Sequence, residues 1–335
     1  MKQKLEEWII EADLIGMQSV MEAGWLTSED LVAVYLERIQ LIDSQINSIL
    51  EINPDALEIA RALDHERHEH GSRGSLHGIP ILLKDNIDTG DRMHTSAGSI
   101  ALEHSFAAQD SFVAARLRAA GAVLLGKTNM TEWANYMSNT MWAGYSSRGG
   151  QTLNPYGPGE LFVGGSSSGS GAAIAANLAA ASVGTETSGS IVNPASYNAL
   201  VGIKPTVGLV SRTGIIPITN SQDTAGPIAR TVADAAILLG AMAGADPADT
   251  ATESNRGKTH TDYSQFLDTN FLKQARIGVP RAYYEVLDEA RIAIMERAID
   301  VLRERGATII DPVTLPMRTD RLGTACYALR VQEIS

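Results

Sequence analysis

Two hydrophobic periodicities divide this chain. Over residues 1–75 apolar positions recur at helical spacing. Leu31, Val34, Tyr35, Ile39 and Ile42 follow a Thr27-Ser28-Glu29-Asp30 start signal, and Ala56, Ile59, Ala60 and Leu63 follow Asn53-Pro54; this is the spacing of helices with one apolar face. From residue 76 short apolar runs alternate with helical segments. Residues 79–83 predict a strand ending at Lys84-Asp85, 113–120 a helix, 122–125 a buried strand, 201–204 and 209–210 strands, and 231–242 a helix capped by Thr231. A β-α-β unit is expected from 277–280, 288–305 and 307–310, closed at Gly306. Residues 244–270 read as a polar surface excursion. Residues 131–160 read as a long loop, of a length that usually carries function. The alternation predicts an α/β fold: a single large domain with a mixed, mostly parallel sheet flanked by helices. Residues 1–75 would be a helical segment packing on a core at 76–315, with an irregular tail at 316–335.

The stretch from Gly164 to Pro194 fits neither periodicity. Eight small residues (164–171) precede an alanine-rich run (172–181), and a second small-residue turn follows at 185–190. High alanine propensity and the absence of Pro and Gly make 172–181 an expected helix. Its N-terminal N–H groups and dipole would face the serine cluster. Glycine in both turns lets backbone amides approach an anion or oxyanion. A flexible Gly/Ser linker is the plain alternative. The apolar flanks, Leu161-Phe162-Val163 and the alanines, place the stretch inside a core instead.

Composition narrows the partners. At 335 residues and 44% hydrophobic content there is ample core for a globular domain. A net charge of −12 argues against nucleic acid or an anionic membrane as the main partner. One cysteine, Cys326, excludes an internal disulfide and suits a reducing compartment. No apolar run approaches membrane-spanning length, and the charged N-terminus lacks the apolar core of a signal peptide. A cytoplasmic location is therefore expected. His65, His68 and His70 lack HExxH spacing and read as a solvated helix end, so no metal site is expected. Gly121-Ala-Val-Leu-Leu-Gly126-Lys127-Thr128 matches a P-loop letter for letter. Its four intervening residues are themselves the strand, so their N–H groups belong to a ladder and cannot cradle phosphate.

Acyl-transfer chemistry needs a nucleophile, a base and oxyanion donors. No histidine lies near either serine turn, so a Ser-His-Asp triad has no local support, although long-range pairing stays open; a Ser-Lys arrangement needs no histidine. The paired serine turns together with Lys84 resemble the amidase signature family of serine hydrolases, over roughly residues 5–315. The resemblance implies Ser190 as nucleophile, Ser166 after a cis peptide bond as proton relay, and Lys84 as base. It also implies an oxyanion hole from the backbone N–H groups of Thr187, Ser188, Gly189 and Ser190. Lys84 must then be neutral, its pKa lowered by burial from about 10.4 to near 7, with Asp85 turned elsewhere. No cofactor is implied. The 126–129 GKTN turn takes a structural role, Ser167, Ser168 and Ser170 pack and cap, and Asp223 hydrogen-bonds a turn.

Glu186, Ser188 and Val192 stand where the family commonly has Asp, Gly and Arg. With Ser146–Gly157 (SSRGGQTLNPYG), the pattern is most similar to bacterial peptide amidases, which remove the C-terminal amide of peptides. The second reading is the A component of glutamyl-tRNA amidotransferase, which hydrolyses glutamine beside a partner protein. Family members are usually longer, with a C-terminal part that completes the sheet and one pocket wall. The resemblance therefore implies a truncated chain that self-associates through an uncovered sheet edge and acts poorly on amides. A catalytically incompetent fragment is the reading of another class.

Overall fold

Four strands with no exposed residue set the architecture, since each must be covered on both faces. The computed structural model describes residues 2–138 and 140–315; the tail expected at 316–335, with Cys326, lies outside them. Two compact units are present, Met1–Gln265 and Phe266–Ser335.

The first unit runs through α1 (Lys2–Trp8), α2 (Leu14–Glu22), α3 (Ser28–Ile42), β1 (Ile49–Ile52), α4 (Ala56–His70), β2 (Pro80–Lys84), α5 (Phe112–Ala119) and β3 (Val123–Thr128). A small hairpin, β4 (Tyr145–Ser146) and β5 (Gly150–Gln151), follows. Then come α6 (Ser168–Ala175), β6 (Ala181–Glu186), α7 (Val192–Tyr197), β7 (Val201–Gly202), β8 (Thr224–Ala229) and α8 (Val232–Met242). Six strands form one mixed sheet in the order β1-β3-β2-β6-β8-β7. Its centre, β3-β2-β6, is parallel, and the outer pairings are antiparallel. Every residue of β2, β3, β6 and β8 is buried, which is why they read as continuous apolar or small-residue runs without alternation. The expected capping of α3 holds: Thr27 and Asp30 form a reciprocal capping box. Thr231 likewise accepts from the Asp234 N–H at the start of α8.

The structure corrects several expectations. Residues 1–75 are not helical throughout, because Ile49–Ile52 forms edge strand β1 against β3. The expected helix over 172–181 starts earlier, at Ser168, and ends at Ala175. Asn177 takes a left-handed φ of 55°, and Arg38 of α3 donates to the carbonyls of Asn177 (2.8 Å) and Ala176 (3.1 Å). The chain then turns and enters the sheet as β6. Helix propensity is worth only tenths of a kcal/mol per residue, and burial between two strands overrides it. Leu209–Val210 is no strand, although Val210 is fully buried. Residues 244–270 are not wholly a surface excursion: Asp246, Asp249 and Thr252 are buried, and Asp249 pairs with Arg212.

In the second unit β9 (Arg276–Gly278) pairs in parallel with β10 (Thr308–Ile310), connected through α9 (Glu289–Glu304). Gly306, at φ +99°, turns the chain out of the helix, as its position in the sequence suggests. Among the described residues no helix is long and apolar enough to cross a membrane. His65 and His70 lie on the last turns of α4 at 70% and 74% side-chain exposure, beside Glu69, as a solvated helix end should.

Candidate active site

Lys84 is the last residue of β2 and is fully buried. Its Nζ lies 2.8 Å from Ser166 Oγ, 2.9 Å from Thr185 Oγ1 and 3.3 Å from the Thr185 carbonyl. Desolvation lowers its pKa from 10.5 to about 7, against the opposing pull of the Asp223 and Glu186 charges. No cation is well accommodated in that setting, so the amine sits neutral above neutral pH with its lone pair available.

The neighbouring carboxylate does not quench this. Asp85 is also buried, but its side chain faces away, accepting from the Ser96 hydroxyl and from Gly98 N–H at 2.9 Å. Arg148, from the 131–160 loop, lies 3.3 Å from Asp85 and 2.8 Å from Glu51, and Glu51 contacts His94 Nδ1 at 2.9 Å. Breaking such a partly buried ion network removes a charge partner from two carboxylates at once, although Lys127 stays near Asp85 and His94 against Glu51. Arg148→Ala should therefore cost about 3 kcal/mol of stability, measured by urea unfolding. A loss below about 1 kcal/mol would show that Asp85 and Glu51 do not depend on it.

Ser166 is fully buried and follows a cis Gly165–Ser166 peptide bond. Its carbonyl accepts from Thr131 N–H at 2.9 Å, and the Gly169 N–H donates to the Asn129 carbonyl at 2.9 Å. The end of β3 and the turn after it thus cradle the first serine turn. Glycine at 169 is required for this approach, because a Cβ there would lie 2.3 Å from the Ser48 carbonyl oxygen and 2.4 Å from that of Asn129. Ser167, Ser168 and Ser170 bond to Thr185, Gly164 and Val183 carbonyls, the structural role expected of them.

The P-loop look-alike is part of this scaffold. Gly126-Lys127-Thr128 continues β3, and Lys127 is buried with Nζ 2.6 Å from the Ile87 carbonyl and 3.0 Å from Thr95 Oγ1. A phosphate could not reach it. Equilibrium dialysis with ATP or GTP should return no binding at millimolar nucleotide; affinity that disappears in Lys127→Ala would contradict this.

Ser190 lies in the turn after β6, and its carbonyl accepts from Ser167 N–H at 3.2 Å, which holds it beside the first serine turn. It lines an open cleft of about 250 Å³ together with Asn86, Thr185, Glu186, Thr187 and Asp223. Glu186 shapes the turn. Its carboxylate, 5% exposed, accepts from the N–H groups of Gly189 (2.6 Å), Ile191 (2.8 Å) and Val192 (3.0 Å). The Gly189 N–H is thereby committed, which leaves Thr187, Ser188 and Ser190 as the turn's candidate oxyanion donors. Gly189 has φ +91°, whereas Ser188 is not among the left-handed residues, so serine at 188 is accommodated without backbone strain. Asp223 accepts from Ile218 N–H (2.7 Å), Thr219 N–H (2.9 Å) and the Thr187 hydroxyl, holding the far wall of the cleft onto the same turn.

Two cleft residues were not singled out in the sequence. Thr185 and Asn86 meet at Lys84 through side-chain hydrogen bonds. Asn86 lies two residues beyond the strand-ending lysine, and Thr185 lies inside β6, at a position the sequence reads as part of the second small-residue turn.

A family model described as Amidase matches residues 30–334. The chain belongs to the amidase family. The crystal structure of the amidase-family peptide amidase from Stenotrophomonas maltophilia superposes with a TM-score of 0.89 at 48% identity, covering 96% of this chain and 66% of that one. An amidase family protein from Bacillus anthracis superposes with a TM-score of 0.90 at 44% identity, over 94% and 63% of the two chains. The A component of glutamyl-tRNA(Gln) amidotransferase from Pseudomonas syringae pv. syringae, in turn, is 43% identical over 292 residues, 87% of this chain and 58% of its own length. The chain thus spans between half and two-thirds of the amidase relatives it matches; for an amidase relative from Schizosaccharomyces pombe, 45% identical, the share is 52%.

Proposed function

We propose that this chain is an amidohydrolase that cleaves a carboxylic amide through Ser190, with Ser166 as proton relay and Lys84 as base. The observation that carries the reading is the buried contact between a lysine whose pKa is lowered to about 7 and Ser166 Oγ, in a member of the amidase family. The Ser190 oxygen attacks the amide carbon as its proton passes to Ser166, whose own proton passes to Lys84 Nζ. N–H groups of Thr187, Ser188 and Ser190 receive the developing oxyanion. The C–N bond breaks as Lys84 returns the proton through Ser166 to the departing nitrogen, which leaves as ammonia or amine. Water then attacks the acyl-serine by the same proton route in reverse. No metal, cofactor or nucleic acid enters these steps.

The substrate we favour is a peptide C-terminal amide. The identity with the Stenotrophomonas maltophilia peptide amidase supports this, as does an apolar, half-exposed Val192 two residues beyond the nucleophile, where a cation would suit an anionic acyl group. Glutamine hydrolysis is the second reading, supported by the identity with the amidotransferase A component. Ammonia release from an N-acetylated amino-acid amide, compared with free glutamine, separates the two. Release from glutamine alone would overturn the peptide-amide reading. The single cysteine and acidic composition accord with a cytoplasmic location.

A further inference from the structure

We infer that Asn86 and Thr185 are positioning residues that aim the lone pair of Lys84 at Ser166. Asn86 is buried, and its Nδ2 lies 3.3 Å from the Ile216 carbonyl and 3.0 Å from Thr185 Oγ1. A backbone carbonyl can only accept, so the contact with Ile216 fixes which end of the amide carries the hydrogens. One N–H goes to Ile216 and the other to Thr185, where it fills one of the two hydroxyl lone pairs. The Thr185 carbonyl likewise can only accept, and takes one hydrogen of the Lys84 amine. The remaining Thr185 hydroxyl lone pair takes the second, while the hydroxyl hydrogen turns to the cleft that Thr185 lines. A neutral amine has two hydrogens and one lone pair. With both hydrogens held by Thr185, the lone pair is left to face the remaining hydrogen-bond partner of Lys84 among the described residues, the Ser166 hydroxyl at 2.8 Å.

A second observation separates this from simple packing. Asn86 Oδ1 is buried without a hydrogen-bond partner among the described residues. An unpaired buried acceptor destabilises a fold, so Asn86 is poorly chosen for stability and well chosen for holding Thr185. The carboxylates that face Lys84, Asp223 and Glu186, carry charge but do not touch its nitrogen. The aiming therefore falls to the two neutral side chains.

The inference rests on Lys84 being the base, and the test separates the two claims. Thr185→Val keeps the shape and removes the hydroxyl, Thr185→Ser restores it, and Asn86→Leu removes the donor behind it. Two readouts apply to the full chain: the second-order rate of fluorophosphonate labelling, and the titration of the Lys84 ¹³Cε resonance, assigned by its loss in Lys84→Met. Labelling should fall roughly 10- to 100-fold in Thr185→Val even on the alkaline plateau, where Lys84 is neutral in both proteins. It should recover in Thr185→Ser and fall no further when Asn86→Leu is added to Thr185→Val, because both act through one hydroxyl. The Lys84 titration midpoint should also fall in Thr185→Val, since the ammonium form loses an acceptor that only it fully needs. A wild-type plateau rate, an unmoved midpoint, or additive losses would overturn the positioning role. A Lys84 still charged at pH 9 in the unaltered chain would instead overturn the base assignment on which the inference stands.

Discussion

Ser190→Ala is expected to remove amide turnover altogether, by roughly 10⁴-fold or more, while thermal unfolding stays within a few degrees of the parent. The size of the effect follows from the site's economy of parts. In the proposed mechanism Lys84 and Ser166 form a relay that ends at the Ser190 hydroxyl; without that hydroxyl the relay has no proton to move and the amide no atom to bond to. The fold is indifferent to the change because what ties residue 190 to the first turn is its backbone carbonyl, bonded to Ser167 N–H, and alanine keeps that. Ammonia release from a peptide amide, read beside a melting curve, checks both halves. Residual turnover within about tenfold of the parent would move the nucleophile elsewhere.

Lys84→Met should have an effect of similar size on rate and, unlike Ser190→Ala, should raise stability. A lysine at its ordinary pKa of 10.5 would be only about 0.03% neutral at pH 7, whereas one at about 7 is half neutral. With the neutral amine as the proposed base, activity of the parent should accordingly rise across pH 6 to 8 and level above it; Lys84→Met should lose this limb and several orders of magnitude in rate. The stability sign follows from linkage. Between pH 7 and 10.5 the unfolded chain holds the lysine proton and the folded chain does not, so stability rises with pH through that window and is lowest below it. Removing the amine relieves that cost but leaves Ser166 and Thr185 hydroxyls short of a partner. The net expectation at pH 7 is a gain of about 1–3 kcal/mol. Urea unfolding of the two proteins decides; a less stable Lys84→Met would mean that the buried lysine is a net support of the fold.

The candidate site is legible in the sequence where small residues cluster. Ser166, Ser190 and Lys84 were marked by two Gly/Ser turns and an apolar strand ending in a lysine, and the structure brings the lysine onto the first serine. Strands with apolar runs, β2 and β3, were legible for the same reason that they are buried on both faces. What stayed hidden was strand made of small residues. β6 (ASVGTE) and β8 (TAGPIA) carry no β-branched runs or alternation, so Thr185 passed as turn and the alanines before it as helix. Their strand character comes from neighbours distant in sequence, with Ser182 opposite Ile228 and Glu186 opposite Thr224. Arg148 was hidden differently: its partners Asp85 and Glu51 are 63 and 97 positions away, and only the length of its loop hinted at a role.

The proposed mechanism stands on Ser190 as the nucleophile at the end of the Lys84–Ser166 relay. Its most direct measurement is a fluorophosphonate-treated chain digested and mapped by mass spectrometry. A single stoichiometric adduct on the peptide carrying Ser190 is expected, formed faster at pH 8 than at pH 6. An adduct on another serine, or labelling of Ser190 that is indifferent to pH across that range, would contradict it.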